Sequence, residues 1–241
     1  MSPGEPLILA EPETPFWGFG EIMVALSVFV LALALIGNTA LEVLGEKAKA
    51  GYWQVLEEFA AYVLLFAAIK VFCFVARKPM LKSLGFVPTV FSPASLAGIG
   101  LGLFALTFAI QLLIGTPDVE TPFNKLLNGG WLSRIAIIGF GVTLGPVIEE
   151  LLFRGFLQPA LIQLAGVFPG ILITSTLFGV VHLSQNANMW QSAVLITVAG
   201  FGFGVIRHMT GSTRASAVAH VAYNTLPFLS VLIQGFQTSS K

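Results

Sequence analysis

Long apolar segments constrain the fold of this chain more than any other feature of its sequence. They recur between residues 22 and 233, and most of them approach the roughly 20 residues that an α-helix needs to cross a bilayer. Hydrophobic residues make up 56% of the 241 residues and charged residues only 10%, with a mean hydropathy of +0.87. These values lie outside the range of water-soluble domains. We therefore predict an all-α fold, a polytopic membrane helix bundle of about seven to eight transmembrane helices.

Turn and loop residues divide the apolar sequence into seven predicted spans. These spans cover residues 22–44, 55–75, 94–114, 132–160, 169–182, 192–206 and 212–233. Pro227 is expected to kink the last span, and an eighth results if it divides that span. The polar connection around Asp118 is predicted to be an exposed loop.

Aromatic and acidic residues near the predicted span ends indicate where the membrane surface lies. All four tryptophans, Trp17, Trp53, Trp131 and Trp190, fall at the start of a span, and the amphipathic indole ring prefers the headgroup region. Glu57 and Glu58 lie near the start of the second span. We interpret both glutamates as interfacial.

Glycines recur at alternate positions in two of the spans. The first set is Gly98, Gly100 and Gly102, and the second is Gly200, Gly202 and Gly204. Small residues let neighbouring membrane helices approach closely, so we predict that both sets serve helix packing.

The charge balance excludes one class of partner. Twelve basic residues offset twelve acidic ones, which leaves no net positive charge to attract nucleic acid. The single cysteine, Cys73, lies in an apolar run and is predicted to be a small buried hydrophobic side chain.

Residues 145–155, GPVIEELLFRG, place three ionisable groups in one of the most apolar regions of the chain. An ionised side chain in the bilayer interior costs several kcal/mol unless it is paired or faces a polar cavity, so this cluster indicates a functional site. On a helix, Glu150 and Arg154 are one turn apart and can form an ion pair. Glu149 points about 100° away from Glu150 and needs a partner from another helix.

The later spans offer few polar partners for Glu149. His182 follows Phe178 in FGVVH, and His220 precedes Asn224 by one helical turn in HVAYN. His208, beside Arg207 at a span end, is expected to be a loop residue.

These motifs resemble those of the CPBP intramembrane endopeptidases, the family that includes the type II CAAX prenyl proteases and the bacteriocin-processing proteins. Its EExxxR motif matches Glu149, Glu150 and Arg154, its FxxxH motif matches Phe178 and His182, and its HxxxN motif matches His220 and Asn224. The match covers about residues 134–227.

The resemblance implies a glutamic-type intramembrane peptidase that needs no metal or other cofactor. Glu149 and His182 would hold and deprotonate a water, and His220 with Asn224 would donate hydrogen bonds to the developing oxyanion. Glu150, Arg154 and Phe178 would support the site.

The resemblance also implies a location and a domain organisation. We expect a multi-pass protein of a bacterial or archaeal plasma membrane, in contact with membrane lipid, that acts on a peptide or protein substrate, such as a prenylated or C-terminally tagged one. The predicted parts are a polar N-terminal tail (1–20), variable N-terminal transmembrane helices (21–130), a catalytic core (131–236) and a C-terminal tail (237–241).

Three alternatives use the same residues. A zinc peptidase could bind its metal with the glutamates and histidines, although no HExxH motif is present. A proton-coupled transporter could use them as a relay, although the sequence shows no convincing internal repeat. An immunity protein could keep the motifs and act only by binding a partner.

Overall fold

The computed structural model describes residues 14–117 and 119–239, with side chains described as far as residue 229. Within these ranges the chain is helical and contains no β-strand. Residues 1–13 of the predicted N-terminal tail, and Asp118 of the predicted loop, lie outside the described residues.

The helices follow the predicted apolar segments closely. In chain order they are α1 Phe19–Leu44, α2 Gly51–Val75, α3 Met80–Ser83, α4 Pro93–Ile114, α5 Pro122–Leu127, α6 Trp131–Val142, α7 Leu144–Glu150, α8 Gln158–Ala165, α9 Val167–Val181, α10 Trp190–Thr210 and α11 Thr213–Ser239. Leu151–Leu157 forms a π-helix that joins α7 to α8, and short 3₁₀ helices cover Gly45–Lys49 and Ser184–Asn186. His208 therefore lies in the last turn of α10 and not in a loop.

Local sequence signals explain where several helices begin and end. Pro93 opens α4 directly after Ser92, whose side chain accepts a hydrogen bond from the Ser95 amide, and this is a typical N-terminal cap. Gly211 ends α10 with a φ of 65°, a left-handed conformation that glycine adopts without steric cost. The helices α4 and α11, which begin after these two signals, pack side by side in the bundle.

The number of membrane spans differs from the prediction. Four of the described helices, α1, α2, α4 and α10, are long and apolar enough to cross a bilayer, and a fifth span results if α6 and the segment from Leu144 to Ala165 count as one span bent by 42°. The α9 helix has only 15 residues, and α11 is not among the candidates. The predicted count of seven to eight spans is therefore not confirmed, whereas the all-α membrane fold is. Pro227 lies inside α11, which continues past it as one helix.

Two predictions about individual buried and interfacial residues have opposite outcomes. Cys73 is buried, as predicted. Trp17 is not an interfacial anchor, because it is only 3% exposed. Its indole nitrogen donates a hydrogen bond to the Phe156 carbonyl at 2.9 Å, and its ring stacks on the Phe156 ring. Trp17 thus ties the start of α1 to the π-helix.

The glycines of α4 differ in their surroundings although they recur regularly. A Cβ at Gly100 would lie 2.0 Å from the Ala219 carbonyl oxygen of α11, so only glycine allows this close approach of backbones. Among the described residues, no neighbouring atom lies within 4 Å of such a Cβ at Gly98 or Gly102. Of the three α4 glycines, only Gly100 has the predicted packing role.

We expect Gly100→Ala to destabilise the protein by about 1–3 kcal/mol, because overpacking a close contact forces the backbones apart. The measurement is the thermal unfolding midpoint of detergent-purified protein. Gly98→Ala is the matched control, and it should leave the midpoint unchanged or raise it because alanine has the higher helix propensity. A Gly100→Ala variant as stable as Gly98→Ala would contradict the packing role.

Candidate active site

Three helices bring the predicted site residues together. Glu149 and Glu150 end α7, His182 directly follows α9, and His220 and Asn224 lie in α11. The bend between α6 and α7 directs this end of α7 toward α11, which packs against it. Residues more than 30 positions apart in sequence thus converge on one cavity.

Glu150 and Arg154 form the predicted ion pair in the protein interior. Both side chains are fully buried, and Arg154 Nη1 donates to Glu150 Oε1 at 2.9 Å. The pair lies at the junction of α7 and the π-helix, a form of backbone often found at functional sites.

Further contacts surround the Arg154 guanidinium. Its Nη2 donates to the Gly200 carbonyl of α10 at 2.7 Å, and its Cζ lies 4.6 Å from the centre of the Phe178 ring. A Cβ at Gly200 would lie 3.0 Å from Nη2, so glycine leaves room for this hydrogen bond. Phe178 therefore supports the site by covering the guanidinium with an aromatic face.

Gln158 repeats the same arrangement one turn further along. Its Nε2 donates to the Gly204 carbonyl at 3.0 Å, and the residue is 1% exposed. Gly200 and Gly204 thus serve polar contacts as well as helix packing, whereas Gly202 faces the side chain of Leu103 in α4. Gln158 belongs to none of the predicted motifs, and the one sequence signal for it is a polar residue at i+4 from Arg154.

His220 links the buried ion pair to the cavity. Its Nδ1 lies 3.1 Å from Glu150 Oε1, the same oxygen that accepts from Arg154. The ring stacks on Phe203 with centroids 4.4 Å apart, a contact that the sequence analysis did not predict. His220 is therefore held by a hydrogen bond at one edge and by an aromatic ring on one face.

Glu149 differs from its neighbour in being accessible. Its side chain is 18% exposed, against 0% for Glu150. One carboxylate oxygen lies 3.9 Å from His182 Nε2 and the other lies 3.8 Å from His220 Nε2. Both distances exceed a direct hydrogen bond and fall in the range where a water can bridge two polar groups.

The hydrogen bonds of the two histidines determine which ring nitrogens carry protons. His182 Nδ1 lies 2.7 Å from the Phe178 carbonyl, and a carbonyl can only accept, so Nδ1 is the donor. His220 Nδ1 likewise donates to the Glu150 carboxylate. In the neutral form of each ring, Nε2 then presents a lone pair toward Glu149.

Asn224 has a fixed amide orientation. Its Nδ2 donates to the Gly141 carbonyl of α6 at 2.8 Å, which places the amide nitrogen, and not the oxygen, on that side. An amide nitrogen carries two protons, so a second N–H remains available, and Asn224 lines the same cavity as Glu149.

The site faces two cavities that meet at Glu149 and His182. The first has a volume of about 580 Å³ and is also lined by His220, Asn224 and Phe178. The second has a volume of about 740 Å³, and its walls combine apolar residues of α1, the π-helix and α9 with polar residues of α2. A peptide segment fits spaces of this size.

Glu58 also lies between these cavities, which corrects the interfacial interpretation. It is partly buried and lines both of them, together with Glu149 and His182. The error came from the helix boundary, because α2 begins at Gly51 and not near residue 55. Glu58 therefore lies two helical turns, about 10 Å, into the helix.

As the side chains stand, no group of three or more histidine, cysteine, aspartate or glutamate residues in the described part of the chain could hold a metal ion. The two Nε2 atoms and Glu149 nevertheless face one another across 3.8–3.9 Å.

Comparison with known proteins identifies relatives of this region. Residues 131–226 match the family model described as type II CAAX prenyl endopeptidase Rce1-like. A Bacillus subtilis (strain 168) protein described as "Putative membrane peptidase YdiL" is 32% identical over 81 residues, which cover 34% of this chain and 31% of that protein. The matched stretch thus spans about a third of each chain. No solved structure matches.

The matched region begins at α6 and ends within α11, so it contains all three motifs and every helix that contributes them. Residues 131–226 of this membrane protein therefore resemble the Rce1-like type II CAAX prenyl endopeptidases, the relatives that the motifs indicated.

Proposed function

We propose that this protein is an intramembrane endopeptidase that hydrolyses a peptide bond with a water activated by Glu149 and His182. The observation that carries the proposal is the contrast between two adjacent glutamates. Glu150 is fixed in a buried ion pair, whereas Glu149 reaches a cavity with a histidine Nε2 near each of its oxygens. The match of residues 131–226 to a peptidase family supports the same conclusion.

Activation of the water follows from the hydrogen-bond acceptors in the cavity. A water between Glu149 and His182 can donate one hydrogen to the carboxylate and one to the Nε2 lone pair. Both contacts direct an oxygen lone pair away from the acceptors and toward a substrate carbonyl. Glu149 then accepts the proton as the oxygen attacks, which is general-base catalysis without a covalent intermediate.

Oxyanion stabilisation is assigned to His220 and Asn224 on the α11 side. The second N–H of Asn224 is available without any change in protonation. His220 Nε2 donates only when both ring nitrogens carry protons, and Glu150 accepts from the other nitrogen in that form. Loss of one oxyanion donor typically costs about 3–4 kcal/mol of transition-state stabilisation.

We also propose a cellular location and a class of substrate. We place the protein in the plasma membrane of a bacterium or archaeon, with a membrane-associated substrate that carries a prenyl group or a C-terminal sorting tag. The apolar walls of the second cavity favour a substrate that approaches from the lipid phase.

We expect Glu149→Gln to lower cleavage by at least about 100-fold, because glutamine keeps the shape of the side chain and cannot accept the proton. Purified wild type and variant are incubated with membranes of the host, and the released peptides are compared by mass spectrometry. Glu46→Gln serves as a control, since its carboxylate is 85% exposed in a surface ion pair with Lys49. Identical peptide sets from wild type and Glu149→Gln would overturn the proposal and leave partner binding as the function.

Arg154→Ala and Glu150→Gln should impair folding as well as activity. Removing one member leaves an uncompensated buried charge, which typically costs about 3–5 kcal/mol. The measurements are the unfolding midpoint in detergent and the yield of monodisperse protein. Glu149→Gln is the comparison, because it should abolish cleavage in a protein with a nearly normal midpoint. Wild-type stability in Arg154→Ala would contradict the structural role of the pair.

Activity should persist after prolonged dialysis against a strong chelator, because the proposed nucleophile is activated by protein side chains alone. The assay is cleavage of the peptide found in the membrane comparison, before and after dialysis. Loss of cleavage that zinc restores would replace this mechanism with that of a metallopeptidase.

A further inference from the structure

Glu58 is an acidic side chain in the candidate site that none of the three motifs includes. It lies on α2, outside the region that matches the peptidase family. Its electrostatic neighbours are Glu149 and His182, and its carboxyl interacts with the Tyr62 hydroxyl one helical turn further along. A second carboxyl beside the proposed base indicates a functional role for Glu58.

The two cavities show where this carboxyl lies relative to the α11 residues. Glu58, Glu149 and His182 line both cavities, whereas His220 and Asn224 line only the first. Tyr62, the neighbour of Glu58, lines only the second. Glu58 therefore lies at the junction of the two cavities with Glu149, and the second cavity extends from this junction away from His220 and Asn224.

When a substrate carbonyl carbon is attacked at this junction, its oxygen and its nitrogen point in different directions. If its oxygen faces His220 and Asn224, the nitrogen of the scissile bond can face α2. Amide hydrolysis needs help at that nitrogen, because it must gain a proton before the carbon–nitrogen bond breaks. The protonated nitrogen carries a positive charge, which a carboxylate stabilises.

We propose that Glu58 contacts the leaving nitrogen of the substrate and stabilises the positive charge that this nitrogen acquires during hydrolysis. The inference rests on the proposed peptidase function and adds a catalytic residue to it. It also assigns the first cavity to the acyl part of the substrate and the second to the leaving amine fragment.

The proton balance needs no further reactant. Glu149 accepts a proton from water as the hydroxyl adds to the carbonyl carbon, and it then passes that proton to the nitrogen. Glu58 accepts a hydrogen bond from the N–H of the now cationic nitrogen. The carbon–nitrogen bond breaks, the electron pair stays on nitrogen, and the products are a carboxylic acid and an amine.

Comparison of an amide with an ester tests this role. The peptide that spans the cleavage site found in the membrane comparison is synthesised twice, once unchanged and once with the scissile N–H replaced by oxygen. An ester has no N–H and forms no cationic nitrogen. We expect Glu58→Gln to lower kcat for the amide by about 100-fold and to change kcat for the ester by less than about threefold.

Glu46→Gln is the charge control. Its carboxylate is 85% exposed and is not among the residues that line the two cavities, so this variant removes a negative charge outside the site. Its amide-to-ester ratio should remain that of the wild type. Glu149→Gln should lose both reactions, because water attack precedes either bond cleavage.

The outcomes separate the two proposals. If no peptide distinguishes wild type from Glu149→Gln in the membrane comparison, the peptidase function fails and the role of Glu58 fails with it. If the wild type cleaves the peptide, two results overturn only the role of Glu58. In the first, Glu58→Gln lowers amide and ester cleavage equally, and in the second it lowers neither. A selective loss of amide cleavage supports it.

Discussion

The buried pair of Glu150 and Arg154 is the interaction on which the rest of the site depends. Two fully buried charges are tolerated only when their attraction and additional hydrogen bonds offset the loss of hydration. Here Arg154 bonds Gly200 of α10, and Glu150 accepts from His220 of α11 as well as from Arg154. The pair therefore joins α7, α10 and α11. Its geometry determines where the histidine of the third motif lies.

Helical geometry separates the functions of the two adjacent glutamates. Because neighbouring positions on a helix differ in direction by about 100°, the residue next to a fully buried ion pair points elsewhere, and here it points into a cavity. The low dielectric that makes the Glu150–Arg154 pair costly to break also strengthens electrostatic interactions at Glu149. One stretch of chain thus supplies both the rigid support and a candidate base.

The sequence predicted the local ion pair better than it predicted the helix boundaries around it. The spacing of Glu150 and Arg154 gave their ion pair correctly, because both residues lie on one helix and the interaction is local. Burial of Trp17 depends on Phe156, which is 139 positions away, and no local pattern reveals that contact. The predicted span count is not confirmed, because α9 has only 15 residues and α11 is less apolar than the other long helices. Glu58 was misplaced because a helix start shifted by four residues moves an acidic side chain from the surface to the cavity.

The region before α6 contributes more to the site than the extent of the family match indicates. The helices α1 and α2 form much of the second cavity, and Trp17 fixes the start of α1 against the π-helix that carries Arg154. Residues 131–226 therefore contain the three motifs but do not enclose the site by themselves. Residues of α1 and α2 line the second cavity together with Glu149 and His182, so the space beside the candidate base is shaped by helices that the family match does not cover. Substitutions in these two helices can therefore alter the shape of the cavity without changing any motif residue.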